Sequence, residues 1–91
     1  MIYEWDEAKR LTNLARHGLD FRRANLVYEH PGKITLKSPY PDEPRLVDLA
    51  EVQGRVLVLV YTMRRDAVRC ISFRYAKRKE QRIYDERRQG C

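Results

Sequence analysis

Residues 55–74 read RVLVLVYTMRRDAVRCISFR, and this stretch decides the fold. From Val56 to Tyr61 every successive position is apolar, the pattern of a strand buried on both faces and therefore central in its sheet. Arg64-Arg65-Asp66 makes a tight turn into a second strand, Ala67 to Arg74. There Ile71 and Phe73 are expected to point one way and Val68, Cys70, Ser72 and Arg74 the other. Upstream, Arg45 to Gln53 forms a strand that Gly54 turns back, so three strands joined by tight turns make an antiparallel meander.

Working outward, Lys33 to Lys37 alternates as KITLK, a further strand, and Ser38 to Pro44 contains three prolines and is a loop. Before it lie two helices. Asp6 caps the first, which carries Ala8, Leu11, Leu14 and Ala15 on one apolar face and stops at Gly18. Asp20 starts the second, with Phe21, Ala24, Val27 and Tyr28 at helical spacing, and His30-Pro31-Gly32 ends it. A short strand occupies residues 2 to 5. The last helix spans about Tyr75 to Arg88, with Ala76, Ile83 and Tyr84 on one stripe. The order βααββββα predicts an α+β domain: a small antiparallel sheet, two N-terminal helices on one face and a basic C-terminal helix.

At 91 residues the chain is expected to be a single domain, 1–91. Its two cysteines, Cys70 and Cys91, make neither a disulfide framework nor a metal site. No apolar run is long enough to cross a bilayer, and the N-terminus lacks the pattern of a signal peptide, so a cytoplasmic location and no membrane contact are expected. Charge is unevenly placed. Residues 1–54 hold 8 Lys and Arg against 9 Asp and Glu, whereas residues 55–91 hold 11 against 4. A cationic second half is the footprint of a phosphate-binding surface.

Individual residues carry more specific readings. Lys9 sits in the first turn of a helix, where the dipole disfavours a cation; it either holds an anion together with the helix N–H groups or is a solvated lysine near Asp6. His17 closes the same helix, and it could exchange a proton near neutral pH or act as a helix-end cation; His30 has the same alternatives. Arg74, expected on an open surface beside Ser72, could pair bidentately with a phosphate. Glu80 interrupts the apolar stripe Ala76, Glu80, Tyr84, and is either a catalytic base or the partner of Arg69 or Arg74. Lys77, Arg78, Lys79 and Arg82 form a basic helix surface, with Tyr75 and Tyr84 placed to stack on a base.

The combination Tyr3-Glu4-Trp5-Asp6-x-x-Lys9, Asn13, His17-Gly18, Phe21, Ala24, then Val60-Tyr61-Thr62-x-Arg64, Arg69-x-Ile71-Ser72-x-Arg74-x-Ala76, Glu80 and Tyr84 resembles the BrnT toxins of type II toxin–antitoxin systems over nearly the whole chain. It departs from them in having Arg16 for a usual Lys, Phe73 and Tyr75 flanking Arg74, and Ala50 for a frequent Gly. The resemblance implies a RelE-like fold, ribonuclease activity without metal or cofactor, and arrest of translation. It also implies neutralisation by a BrnA-like antitoxin whose ribbon–helix–helix domain contacts operator DNA.

On that reading His17 or Glu80 is the general base against the RNA 2′-hydroxyl, with Tyr84 completing the acid–base set. Arg74 and Arg69 stabilise the developing charge, and Lys9, Arg45, Arg64, Lys77, Arg78 and Arg82 bind the RNA. The alternative is a basic module that binds nucleic acid or a protein partner without chemistry.

Overall fold

The computed structural model describes residues 1–38 and 44–89. Most of the proline-containing loop expected at 38–44, and Cys91, lie outside the described residues. The elements are β1 (Ile2–Glu4), α1 (Glu7–His17), a 3₁₀ turn (Phe21–Arg23), α2 (Asn25–Tyr28), β2 (Ile34–Lys37), β3 (Leu46–Val52), β4 (Arg55–Arg64), β5 (Ala67–Tyr75) and α3 (Arg78–Gln89). The strands form one sheet in the order β1-β5-β4-β3-β2.

β4 lies at the centre of the sheet, as its unbroken apolar run requires. Leu57, Leu59 and Tyr61 face a core closed by Phe21, Ala24 and Val27, while Val56 and Val58 face a second core closed by Tyr84 of α3. The sheet is therefore covered on both faces, by the N-terminal helical segments on one and by α3 on the other. Phe21 and Phe73 are each 1% exposed, and burying a side chain of that size contributes about 1.5–3 kcal/mol. The β3–β4 hairpin turns through Gln53 and Gly54, with φ of 52° and 81°. Positive φ at both central positions is the type I′ geometry that matches strand twist, and glycine adopts it without steric cost.

Four expectations need correction. The sheet is mixed rather than antiparallel, because β1 pairs parallel with β5, Tyr3 opposite Val68 and Glu4 opposite Arg69. No hairpin connects β1 to a neighbour, so no turn chemistry in the sequence marks its direction. The second helix is shorter than its spacing suggests, a 3₁₀ turn followed by the single turn of α2. In β5 a bulge follows the Tyr61–Cys70 pair: Val60 pairs with Ser72, leaving Ile71 as the extra residue. That residue resets the alternation, so Val68, Cys70 and Phe73 share the buried face instead of Val68 and Cys70 lying opposite Phe73.

The fourth correction concerns α1. Its leucines do not enter the core: Leu11 is 53% exposed and Leu14 36%, and the residue the helix buries is Asn13. α1 runs beside the part of β5 that β1 leaves unpaired. There the Asn13 carboxamide accepts from Phe73 N–H at 3.1 Å and donates to Phe73 C=O at 2.7 Å, with a second donation to Leu19 C=O at 3.0 Å. A side-chain amide thus takes the place of a neighbouring strand. The expected caps are present: Asp6 accepts from the amides of Ala8 and Lys9, Gly18 closes the helix at φ 73°, and Asp20 accepts from Arg22 N–H.

Candidate active site

The outer surface of α1, the second half of β5 and the ends of β3 and β4 enclose two adjoining cavities. The larger, about 510 Å³, is lined by Lys9, Thr12, Arg16, His17 and Ser72, with Asp6 and Ile71 at its end. The smaller, about 110 Å³, shares Lys9, Asp6 and Ile71 with it and is lined by Arg45, Arg64 and Arg69. Four cationic side chains from four separate segments therefore meet at one small cavity. The bulge at Ile71 lies at the junction of the two, where it re-aims β5.

Little negative charge offsets Lys9, Arg64 and Arg69. Among the described residues Lys9 and Arg64 carry no ion pair, and Arg69 has a loose one with Glu4 at 3.6 Å. Asp6 lines both cavities, but its carboxylate is committed to the helix N-cap at 2.8 and 3.2 Å. Asp6 already occupies two of the α1 N–H groups, those of Ala8 and Lys9, that could join Lys9 in holding an anion. An electrostatic excess of this kind attracts a polyanion.

His17, half-buried at the C-terminal end of α1, stands eight residues beyond Lys9, which places it about 12 Å away along the helix. Lys9, Asn13, Arg16 and His17 recur at helical spacing, so α1 presents a polar stripe where its sequence advertises an apolar one. That stripe is the signal that could have added Thr12 and Arg16 to the candidate residues. The hydroxyl-bearing Ser72, on the wall opposite, was visible only as a neighbour of Arg74.

Other candidate residues fall elsewhere. Arg74 does not face an open surface: both its terminal nitrogens bind the Glu80 carboxylate, at 2.7 and 2.8 Å, and each side chain keeps under a fifth of its surface exposed. Glu80 also accepts from Lys77 N–H at 2.9 Å, the backward half of a capping box at the start of α3. The Arg74 hydrogen bond, with smaller help from Lys77, holds the Glu80 carboxyl below its ordinary range despite burial. A carboxylate so stabilised is a weak base. Tyr84 is 3% exposed in the core under α3, so its ring cannot stack on a base. Tyr75 is exposed and stacks under Arg55, 3.9 Å from the ring centroid.

Lys77, Arg78 and Arg82 are brought together along α3, bordering a shallow concavity with Asp85 and Glu86. Because α3 is tied to β5 through Arg74, two residues past Ser72, this basic surface begins near the groove but is separate from it. Burial pushes the Cys70 thiol up to about 12, which leaves it a protonated core side chain. The most deeply buried charge, Asp48, was not apparent as such in the sequence. It is satisfied by Lys33 at 2.7 Å, Thr35 at 2.7 Å and Tyr61 at 3.1 Å beneath α2, a structural role remote from the groove.

Among the described residues no helix is long and apolar enough to cross a membrane. A sequence-family profile described as "Ribonuclease toxin, BrnT, of type II toxin-antitoxin system" matches residues 5–80. No curated protein matches the sequence.

Proposed function

We propose, from the premise that this chain belongs to the BrnT family of ribonuclease toxins of type II toxin–antitoxin systems, that it is an RNA endonuclease acting in the groove between α1 and β5. The observation that carries the assignment is the convergence of Lys9, Arg45, Arg64 and Arg69 on one cavity that opens into the groove holding His17. Each cation comes from a different segment, and bringing like charges together has a cost that an anionic ligand offsets.

In this reading a backbone phosphate sits among the four cations and orients the strand. The next linkage lies along α1, with Lys9 and Arg16 on one wall and Ser72 on the other. His17 is the general base or acid for attack of a 2′-hydroxyl on its own 3′-phosphate, because an imidazole can both accept and donate a proton and it is the histidine that lines the groove. Glu80 is set aside as base by its pairing with Arg74. The charge that builds on the phosphorus oxygens is met by cationic side chains, so the step requires no metal. The pair Arg74–Glu80 fixes the strand that carries Ser72 and the start of α3, whose Lys77, Arg78 and Arg82 extend the phosphate track. A cognate antitoxin restrains the activity by covering this basic surface.

His17→Ala is expected to lower kcat by about 10²-fold or more, the usual contribution of general acid–base catalysis, while leaving the thermal midpoint near its parent value. Arg69→Ala is expected to lower kcat/KM by about 10–10²-fold, mainly through KM, the scale of one lost hydrogen bond to the phosphate that orients the strand. Its ion pair is loose and one-third exposed, so stability changes little. Cleavage of single-stranded RNA measured for both variants tests the assignment. Full activity in both would refute it.

A further inference from the structure

The hairpin that joins β4 to β5 turns through Arg65 and Asp66, the two residues between the paired Arg64 and Ala67. Arg65 takes φ 58°, in the left-handed region that glycine, asparagine and aspartate adopt readily and a long side chain adopts at a cost. It is exposed, and among the described residues its guanidinium has no hydrogen bond or ion pair. An arginine strained into a turn yet tied to nothing in its own chain points to a role outside the fold. Its surroundings say which. With Arg64 and Glu4 it lines a concavity of about 370 Å³, and Arg64 also lines the small cavity of Lys9, Arg45 and Arg69. That small cavity meets the His17 groove on other walls, through Asp6, Lys9 and Ile71. A strand that leaves the groove and passes the four cations therefore meets Arg65 next, beyond Arg64. Two carboxylates are near: Glu4 is loosely engaged with Arg69 at 3.6 Å, and Asp66 lines neither cavity.

We infer that the hairpin tip is a second phosphate subsite, in which Arg65 holds the backbone phosphate next to the one bound among Lys9, Arg45, Arg64 and Arg69. The inference rests on the phosphate reading given above and extends the RNA path away from His17. A guanidinium suits the role, because its planar fork donates two parallel hydrogen bonds to phosphate oxygens. Phosphates carry no base identity, so the subsite adds affinity and register without sequence preference.

The probe is a single-stranded 2′-O-methyl RNA, which resists cleavage, titrated across a salt series with thermal melting of each variant alongside. Arg65→Asn removes the charge and fits the positive φ. It is expected to weaken probe binding about fivefold at 0.1 M salt and to flatten the salt slope by about 0.7, the share of one phosphate contact. Its thermal midpoint should equal or exceed the parent's, because the strained side chain is gone. Arg65→Lys is expected to keep most of the slope. Affinity and slope unchanged in Arg65→Asn, with binding weakened in Arg64→Ala, would overturn the inference while leaving the phosphate reading standing. No change in either variant would overturn both. A lowered thermal midpoint in Arg65→Asn would give Arg65 a structural part in the hairpin and overturn the inference. Loss of antitoxin affinity with probe binding intact would assign the tip to the protein partner and overturn it as well.

Discussion

Asn13 illustrates how one polar side chain can organise the wall of the candidate site. It satisfies the N–H and C=O of Phe73 from the side, which lets β5 continue past the short β1 without an open edge and fixes α1 at groove-forming distance. Asn13→Ala strands two buried backbone groups and is expected to lower stability by about 1–3 kcal/mol, read as a drop in urea midpoint with unchanged m-value. Glu80 provides a second test at this scale. Its carboxyl binds a proton more weakly in the folded chain than the ordinary value of 4.5, and Glu7 and Asp20 are likewise lowered, from 4.5 and 3.8, to about 2 by hydrogen bonds from Arg10 and Arg22 respectively. Depressed values of this sign stabilise the fold above about pH 4.5 and lose that contribution as the pH falls toward 2. Glu80→Gln is expected to cost about 1–2 kcal/mol near neutral pH and to make the thermal midpoint less sensitive to acid. Identical pH profiles for parent and variant would contradict the pairing. The Arg74–Glu80 pair was one of two partners open from sequence, since both Arg69 and Arg74 lie on the strand that precedes α3; the bulge at Ile71, invisible in the residue pattern, turns Arg74 to the face that α3 covers, and Arg69 lies too far back along the strand to reach Glu80.

At the level of elements, the strands were the most legible part. Six consecutive apolar residues marked β4 as central, and Gly54 and Arg65-Asp66 marked the two hairpins that set the register. The helices were less legible because α1 uses its polar stripe, rather than its leucines, to contact the sheet. Lys9, Arg45, Arg64 and Arg69 could each be picked as cations, but their convergence depends on the parallel placement of β1, which carries α1 back across the end of β5. The basic surface of α3 and the cation-lined cavity are separate in the structure, and the two are expected to act differently. Replacing Lys77, Arg78 and Arg82 by Ala should weaken binding to all RNA sequences alike and flatten the salt dependence by about 0.7 per lost phosphate contact, with kcat nearly kept. Arg64→Ala should flatten the slope by one such contact and also lower kcat/KM. Filter binding across a salt series, combined with single-turnover cleavage, distinguishes them; an unchanged slope in the triple variant would remove α3 from the RNA track.

Across the whole molecule, the groove runs along one side of a sheet that is otherwise covered on both faces, so the rigid core positions the cations while leaving them open to a long flexible ligand. The same exposure makes the surface available to an acidic partner, and purified antitoxin added to a cleavage assay is expected to stop the reaction. The mechanism itself is read from the ends it leaves. RNA incubated with the purified protein in EDTA should yield fragments with 5′-hydroxyl and 2′,3′-cyclic or 3′-phosphate termini, and RNA blocked at the 2′ position should remain intact, because in the proposed reaction the nucleophile is the substrate's own hydroxyl, activated by His17. Fragments with 5′-phosphate ends, or cleavage that appears only when Mg²⁺ is supplied, would contradict it.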